Sequence, residues 1–184
     1  MTGGGECLGH IKKHFGPATK VDLVDWSNAM CERAQNNINR NKYAGSEVIC
    51  CNALNLPSPA NNYDVVYSTF GLKTLTDEEL VLLADEIMRV LKPGGRFCLL
   101  EFSIPANFIL QLFFKFYVKR LVPIMGWLFL GNPDNYRMLW QYTVAFGNCG
   151  KVRKMFESCG FEVDSSPFFF GSATQIHGRK PFKK

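Results

Sequence analysis

The residues best suited to chemistry fall in four short clusters. Thr2-Gly3-Gly4-Gly5 is a glycine-rich loop running into a helical pattern over about Leu8–Phe15. Glycine tolerates positive φ and lets the backbone approach a ligand closely. Asp25 ends the β-rich run Lys20–Asp25 (KVDLVD), twenty residues beyond Gly5. At that spacing an acid accepts hydrogen bonds from the paired hydroxyls of a ribose. Each signal has a plainer reading: glycines behind a starting Met also mark a cloning remnant, and a strand-end acid is often just solvated. The spacing favours the binding reading. Asn52-Ala53 closes the next strand, where an Asn side chain and a backbone N–H present acceptor and donor to an adenine edge. Taken singly, Asn52 also reads as a turn residue. Ser68-Thr69-Phe70-Gly71-Leu72-Lys73 ends a further strand with hydroxyls, a glycine and a cation.

Other candidates carry less. His10 and His14 stand at i, i+4 on one helix but lack a third ligand at metal spacing, so they read as surface histidines and no metal is expected. His177 is a lone histidine in QIHGRKP and reads as structural. The seven cysteines are scattered without CxxC. They read as reduced thiols rather than a disulfide frame or zinc site.

These clusters are positioned by alternating strands and helices. Ser27 is placed to cap a helix over about Asn28–Asn39, with Met30, Ala34 and Ile38 on one stripe. Glu47–Cys51 and Asp64–Tyr67 read as strands. Thr76-Asp77-Glu78-Glu79 is a capping-box signature, followed by Leu80, Leu83, Ala84, Ile87, Met88 and Leu91 at helical spacing. Lys92-Pro93-Gly94-Gly95 stops that helix. Arg96–Phe102 is an apolar strand expected to be buried on both faces. Lys151–Cys159 is a helix with Val152, Met155, Phe156 and Cys159 inward, and Phe161–Ser165 with Phe168–Ile176 form a closing strand pair. The fold class is α/β: a Rossmann-like, doubly wound, mostly parallel sheet with a C-terminal antiparallel strand pair. Such sheets bind ligands at the carboxyl ends of their strands.

Composition agrees with one globular domain over 1–184. The chain has 184 residues, 47% hydrophobic and 20% charged, with a net charge of +5. This excludes a disordered or collagen-like chain. The excess charge is too small and too dispersed to point to nucleic acid. No signal-peptide pattern opens the sequence.

The order of glycine loop, strand-end Asp25, Asn52-Ala53 and LKPGGR before an apolar strand resembles class I S-adenosylmethionine-dependent methyltransferases. The phrases ALNLPSPANNYDVVYSTFGLKTLTD, RVLKPGGRFCLLEFSIP and GNPDNYRMLWQYTVAF resemble, more specifically, the ubiquinone/menaquinone C-methyltransferase family. The likeness runs from Thr2 to about Lys180. It implies an enzyme with S-adenosyl-L-methionine as cofactor. Gly3, Gly4 and Gly5 would line its methionine part, Asp25 would hold the ribose, Trp26 and Met30 would lie against the adenosine, and Asn52 and Ala53 would read the adenine. Thr69 falls where the family has a cofactor-contacting Ser. Lys73 and Tyr136 are the candidates for polarising a quinol oxygen. Lys73 stands where the family usually has Arg in FGLRN, and Lys cannot form the bidentate fork of Arg.

The family also has an apolar strand ending in Asp ahead of the glycines, whereas this sequence starts within the glycine motif. The expectation is an N-terminally incomplete methyltransferase lacking the first, central strand, with two neighbouring strand edges left unpaired. Asn107–Leu130 (NFILQLFFKFYVKRLVPIMGWLFL) is the most apolar stretch, interrupted by Lys115, Lys119, Arg120 and Pro123. It reads as helices packed on the core, as a membrane-facing lid over a prenyl tail within an insertion at 106–147, or as both at once. Tyr117 is a further pocket phenol there.

The expected reaction is methyl transfer to a ring carbon of a prenylated quinol. Expected partners are that lipid-like acceptor, peripheral membrane contact through 107–130 and a homo-oligomer or biosynthetic complex. The expected location is cytoplasmic and membrane-associated, on the matrix side if mitochondrial. Three alternatives stand: a different lipid-like acceptor, a nicotinamide oxidoreductase sharing the glycine–acid pattern, and an inactive relic or complex subunit that keeps the fold. Asn52-Ala53, LKPGG and the closing strand pair speak against the oxidoreductase.

Overall fold

The computed structural model describes residues 1–122, 124 and 134–182, without the side chains of 134–138. The chain forms two compact units, Met1–Asn62 and Tyr63–Lys184.

The first unit runs α1 (Leu8–Phe15), β1 (Val21–Asp25), α2 (Asn28–Asn41) and β2 (Ser46–Cys50). β1 and β2 pair in parallel from Val21↔Ser46 to Asp25↔Cys50. Leu8, Leu23, Ala34 and Ile38 form the unit's buried cluster, flanked by Val21, Tyr43 and Val48. The inward stripe of α2 is Cys31, Ala34 and Ile38. Met30, expected on that stripe, is half-buried one position to its side. Lys12 is buried as well, its ammonium donating to the carbonyls of Pro17, Thr19 and Ala44. A buried ammonium needs such acceptors, and here they bind α1 to the loops around β1.

The second unit contains β3 (Tyr63–Thr69), α3 (Asp77–Val90), β4 (Leu91–Phe102), α4 (Phe108–Phe116), α5 (Asp134–Phe146), α6 (Gly150–Ser158), β5 (Glu162–Phe168) and β6 (Ala173–Arg179). Its sheet order is β3-β4-β6-β5, with β3 parallel to β4 and the other pairs antiparallel. The capping box forms as written in the sequence: Thr76 accepts from the Glu79 N–H, and the Glu79 side chain accepts from the Thr76 N–H. Leu80, Leu83, Ala84, Ile87 and Val90 are the buried apolar residues of α3. Phe97, Phe156 and Phe161 pack ring against ring, with centroids 4.8–5.5 Å apart.

Two details differ from the sequence reading. Lys92-Pro93-Gly94-Gly95 does not separate α3 from β4 but lies within β4, which starts at Leu91. The register shift opposite Tyr63 and Val65 absorbs that irregular stretch. β4 is also buried chiefly on one face: Phe97, Leu99 and Glu101 are buried, while Cys98, Leu100 and Phe102 are half-buried. The mostly parallel α/β arrangement with its closing antiparallel pair is otherwise as expected. The strands are divided between two sheets. β1 pairs with β2 on one side, and the Val24 carbonyl accepts from the backbone nitrogens of Met1 and Thr2. β3 pairs with β4 alone among the described strands.

Candidate functional site

In the first unit the glycine loop and the end of β1 meet. Gly3 donates its N–H to Asp25 Oδ2 at 2.9 Å, and Ser27 donates to Oδ1 at 3.1 Å. The terminal ammonium of Met1 lies 3.3 Å from Oδ2. Partial burial opposes ionisation of Asp25, but these donors outweigh it and hold its pKa below the ordinary carboxylate value. Ser27 precedes α2 as predicted, although its side chain caps nothing. Its contribution is the backbone N–H that orients Asp25.

Gly4 and Gly5 are buried. Gly5 has φ +75°, and a Cβ there would stand 2.9 Å from Leu23 Cδ2; a Cβ on Gly4 would stand 2.7 Å from Glu6 and 2.8 Å from Arg33. The positive φ of Gly3 and Gly5 favours glycine at those two positions, whereas the neighbours of Gly4 are the movable ends of Glu6 and Arg33. Asn37 fixes it from α2 by donating to the carbonyls of Gly4 and Gly5 at 3.2 and 3.0 Å. Asn37 was not singled out from the sequence, where it is one of five asparagines between Asn28 and Asn41.

Trp26, the residue after Asp25, is 74% exposed. Met30 lies half-buried in the first turn of α2. Asn52 and Ala53 follow β2 directly, and the Cys51 N–H ties that segment to the Asp25 carbonyl at 3.0 Å. Asn52 is exposed, and its Oδ1 accepts from the Leu54 N–H at 2.9 Å in an Asx-type turn. Gly3, Gly4, Gly5, Asp25, Trp26, Met30, Asn52 and Ala53 therefore all belong to this one small unit.

These residues suit a nucleoside-bearing cofactor. The Asp25 carboxylate has about four acceptor positions; the Gly3 and Ser27 N–H groups and the Met1 ammonium engage three, which leaves one for a ribose hydroxyl.

The second unit contains Thr69 and Lys73. Thr69 ends β3 opposite Leu100. Phe70 follows with φ +59°, anchored by its N–H to the Leu100 carbonyl at 2.7 Å and stacked on Phe102 at 4.5 Å. This kink turns the chain into the short 3-10 turn Leu72–Thr74. Lys73 points back from that turn toward Glu101. Its Nζ donates to Glu101 Oε1 at 3.1 Å and to the Phe70 carbonyl, and its N–H donates to Oε2 at 3.0 Å. The Lys73 side chain is 7% exposed and that of Glu101 0%. The ammonium also lies 5.8 and 5.6 Å from the ring centres of Phe70 and Phe102. Phe102 donates its N–H to Glu101 Oε1 at 2.8 Å, so both carboxylate oxygens are engaged.

An ammonium has three N–H donors. Two are committed to Glu101 and Phe70, which leaves one for an acceptor oxygen. Glu101 was missed as a site residue. An acid inside the apolar run RFCLLEF, at a position facing the core, was the available signal. The side chain of Tyr136 lies outside the described residues. Tyr117 is exposed in the π-turn Tyr117–Leu121 after α4, and His10 and His14 are exposed. His177 is half-buried on β6 with its Nδ1 unpartnered.

The chain is 29% identical over 181 residues to the ubiquinone/menaquinone biosynthesis C-methyltransferase of Saccharophagus degradans, which covers 97% of this chain and 72% of that protein. It is 33% identical over 174 residues to the demethylmenaquinone methyltransferase of Alkalihalophilus pseudofirmus, covering 94% and 72%. Its fold matches a SAM-dependent methyltransferase from Aquifex aeolicus at TM-score 0.68 and 17% identity, over 97% of this chain and 78% of that one. The glycine–Asp25 loop, Asn52-Ala53 and the Lys73 turn all fall within residues 1–180, the span that matches the ubiE/COQ5 methyltransferase family, and to that family this chain belongs.

Proposed function

We propose that this chain takes part in transferring the methyl group of S-adenosylmethionine to a ring carbon of a prenylated quinol in ubiquinone or menaquinone biosynthesis. The observation that carries this reading is the Asp25 carboxylate, ionised and oriented by the Gly3 and Ser27 N–H groups beside a loop whose Gly3 and Gly5 have positive φ. The names of the curated relatives supply the acceptor class.

When bound, the cofactor supplies an electrophilic methyl on a sulfonium; no metal is needed for that chemistry. The residues of this chain bind and polarise. Asp25 takes a ribose hydroxyl, Gly3, Gly4 and Gly5 line the methionine part, Trp26 and Met30 lie against the adenosine, and Asn52 with Ala53 meets the adenine edge. Thr69 stands where the resemblance puts a cofactor-contacting Ser. Lys73 directs its third N–H at the acceptor's oxygen. Its charge is balanced by Glu101, so it acts as a fixed hydrogen-bond donor rather than a free cation. Tyr136 is a second polariser of that oxygen.

Contact with a bilayer surface through 107–130 is part of this proposal. On α4, Phe108, Ile109, Leu112, Phe113 and Phe116 are exposed, while Phe114 is buried. Lys115, Lys119 and Arg120 are also exposed. An apolar face edged by cations suits a membrane interface with anionic lipid, where a prenylated acceptor resides. Among the described residues no helix is long and apolar enough to cross a membrane. The function is tested by incubating the chain with methyl-labelled S-adenosylmethionine and a panel of reduced demethylated quinols in micelles. Label in the quinol ring supports the reading; label only in other lipids overturns the acceptor class.

A further inference from the structure

We propose that Cys31 and Cys50 form a reversible dithiol–disulfide site beside Asp25, oxidised by a low-molecular-weight disulfide. Cys31 lies in the first turn of α2 and Cys50 is the last residue of β2. Their Sγ atoms are 2.6 Å apart. A disulfide bond measures about 2.0 Å, so the two sulfurs already stand close to bonding distance. Each thiol also has its own acceptor: Cys31 Sγ lies 3.4 Å from the Asp25 carbonyl, and Cys50 Sγ lies 3.2 Å from Asn28 Oδ1.

The two differ in access. Cys31 is buried and Cys50 exposed. Burial first, then the Cys50 neighbour, push the Cys31 thiol up to about 11, which keeps it protonated at rest. Cys50 is therefore the entry point. Its thiolate attacks one sulfur of an oxidised glutathione molecule, forming a mixed disulfide and releasing one reduced glutathione. Cys31, losing its proton to solvent, then attacks the Cys50 sulfur, forming the Cys31–Cys50 bond and releasing the second glutathione. Two thiols are oxidised and one small disulfide is reduced. Excess reduced glutathione reverses both steps. Cys51 is the nearest competitor in sequence, but its N–H continues the ladder to the Asp25 carbonyl, and successive side chains along a strand point to opposite faces.

The site does not depend on the methyl-transfer reading, and its test reads mass rather than activity. The purified chain is incubated with oxidised glutathione, remaining thiols are alkylated, and the digest is mapped by mass spectrometry. The expected result is a Cys31–Cys50 linked peptide, with two fewer alkylated thiols per chain, reversed by dithiothreitol and retained in Cys51→Ser. In Cys31→Ser, glutathione is expected to stay on Cys50. A Cys50–Cys51 linkage, a lasting mixed disulfide in the unsubstituted chain, or no oxidation of this pair overturns the proposal. The map of the unsubstituted chain decides the matter even if Cys31→Ser fails to fold.

Discussion

Asp25 and Glu101 are both carboxylates at strand ends, and their surroundings give them different work. Asp25 is half-buried and takes backbone donors, so it is a fixed anion with acceptor capacity to spare. Removing it by Asp25→Ala is expected to weaken S-adenosylmethionine binding by about 3 kcal/mol, roughly a hundredfold in Kd, the upper range for a hydrogen bond to a charged group. Titration calorimetry measures this. The depressed pKa of Asp25 also gives a pH signature. Its stabilisation is fully present above the unfolded carboxyl value of about 3.9 and is lost as pH falls through the lower folded value. The contribution lost in Asp25→Asn is therefore expected to be constant from neutral pH to about pH 5 and to vanish in strong acid, by denaturant melts of both forms. Glu101 is wholly buried and committed to Lys73. Glu101→Gln leaves a buried ammonium without its counter-charge and is expected to cost about 3–5 kcal/mol in a urea melt.

At the scale of elements, local rules were easy to read and long-range ones were not. The capping box at Thr76–Glu79 is written in four consecutive residues, and it forms. Thr76→Ala is expected to lower stability by about 1 kcal/mol. The glycine loop and Asp25 were legible because their spacing reports a loop–helix–strand unit. The pairing of Lys73 with Glu101 spans 28 residues and was not legible. Neither was the choice of Cys31 over Met30 as the inward residue of α2, since both lie within one helical turn of the stripe. On α4, exposure of Phe113 and Phe116 makes a separable prediction. Phe113→Glu with Phe116→Glu is expected to shift stability by no more than about 0.5 kcal/mol per site, as surface changes do. The same pair is expected to abolish co-sedimentation with vesicles containing phosphatidylglycerol.

For the whole molecule, the chain reads as one α/β pattern, yet its strands divide into a two-stranded and a four-stranded sheet. Alternation of strand and helix specifies parallel pairing but not which strand neighbours which, because those contacts join residues far apart in sequence. For the proposed bilayer contact, the +5 charge and the cations beside the apolar face of α4 lead to the expectation that vesicle binding weakens with salt and is mostly lost by about 1 M, where the Debye length is near 3 Å. The central claim is that this chain binds S-adenosylmethionine through Asp25 and passes its methyl group to a quinol. The most direct measurement is the transfer of tritiated methyl from S-adenosylmethionine to reduced demethylmenaquinone in micelles, with the unsubstituted chain and Asp25→Ala side by side. The account predicts tritium in the quinol ring with the first and, at cofactor well below Kd, a loss of about a hundredfold with the second. Equal transfer by both, or no tritium in the quinol from the unsubstituted chain, would contradict it.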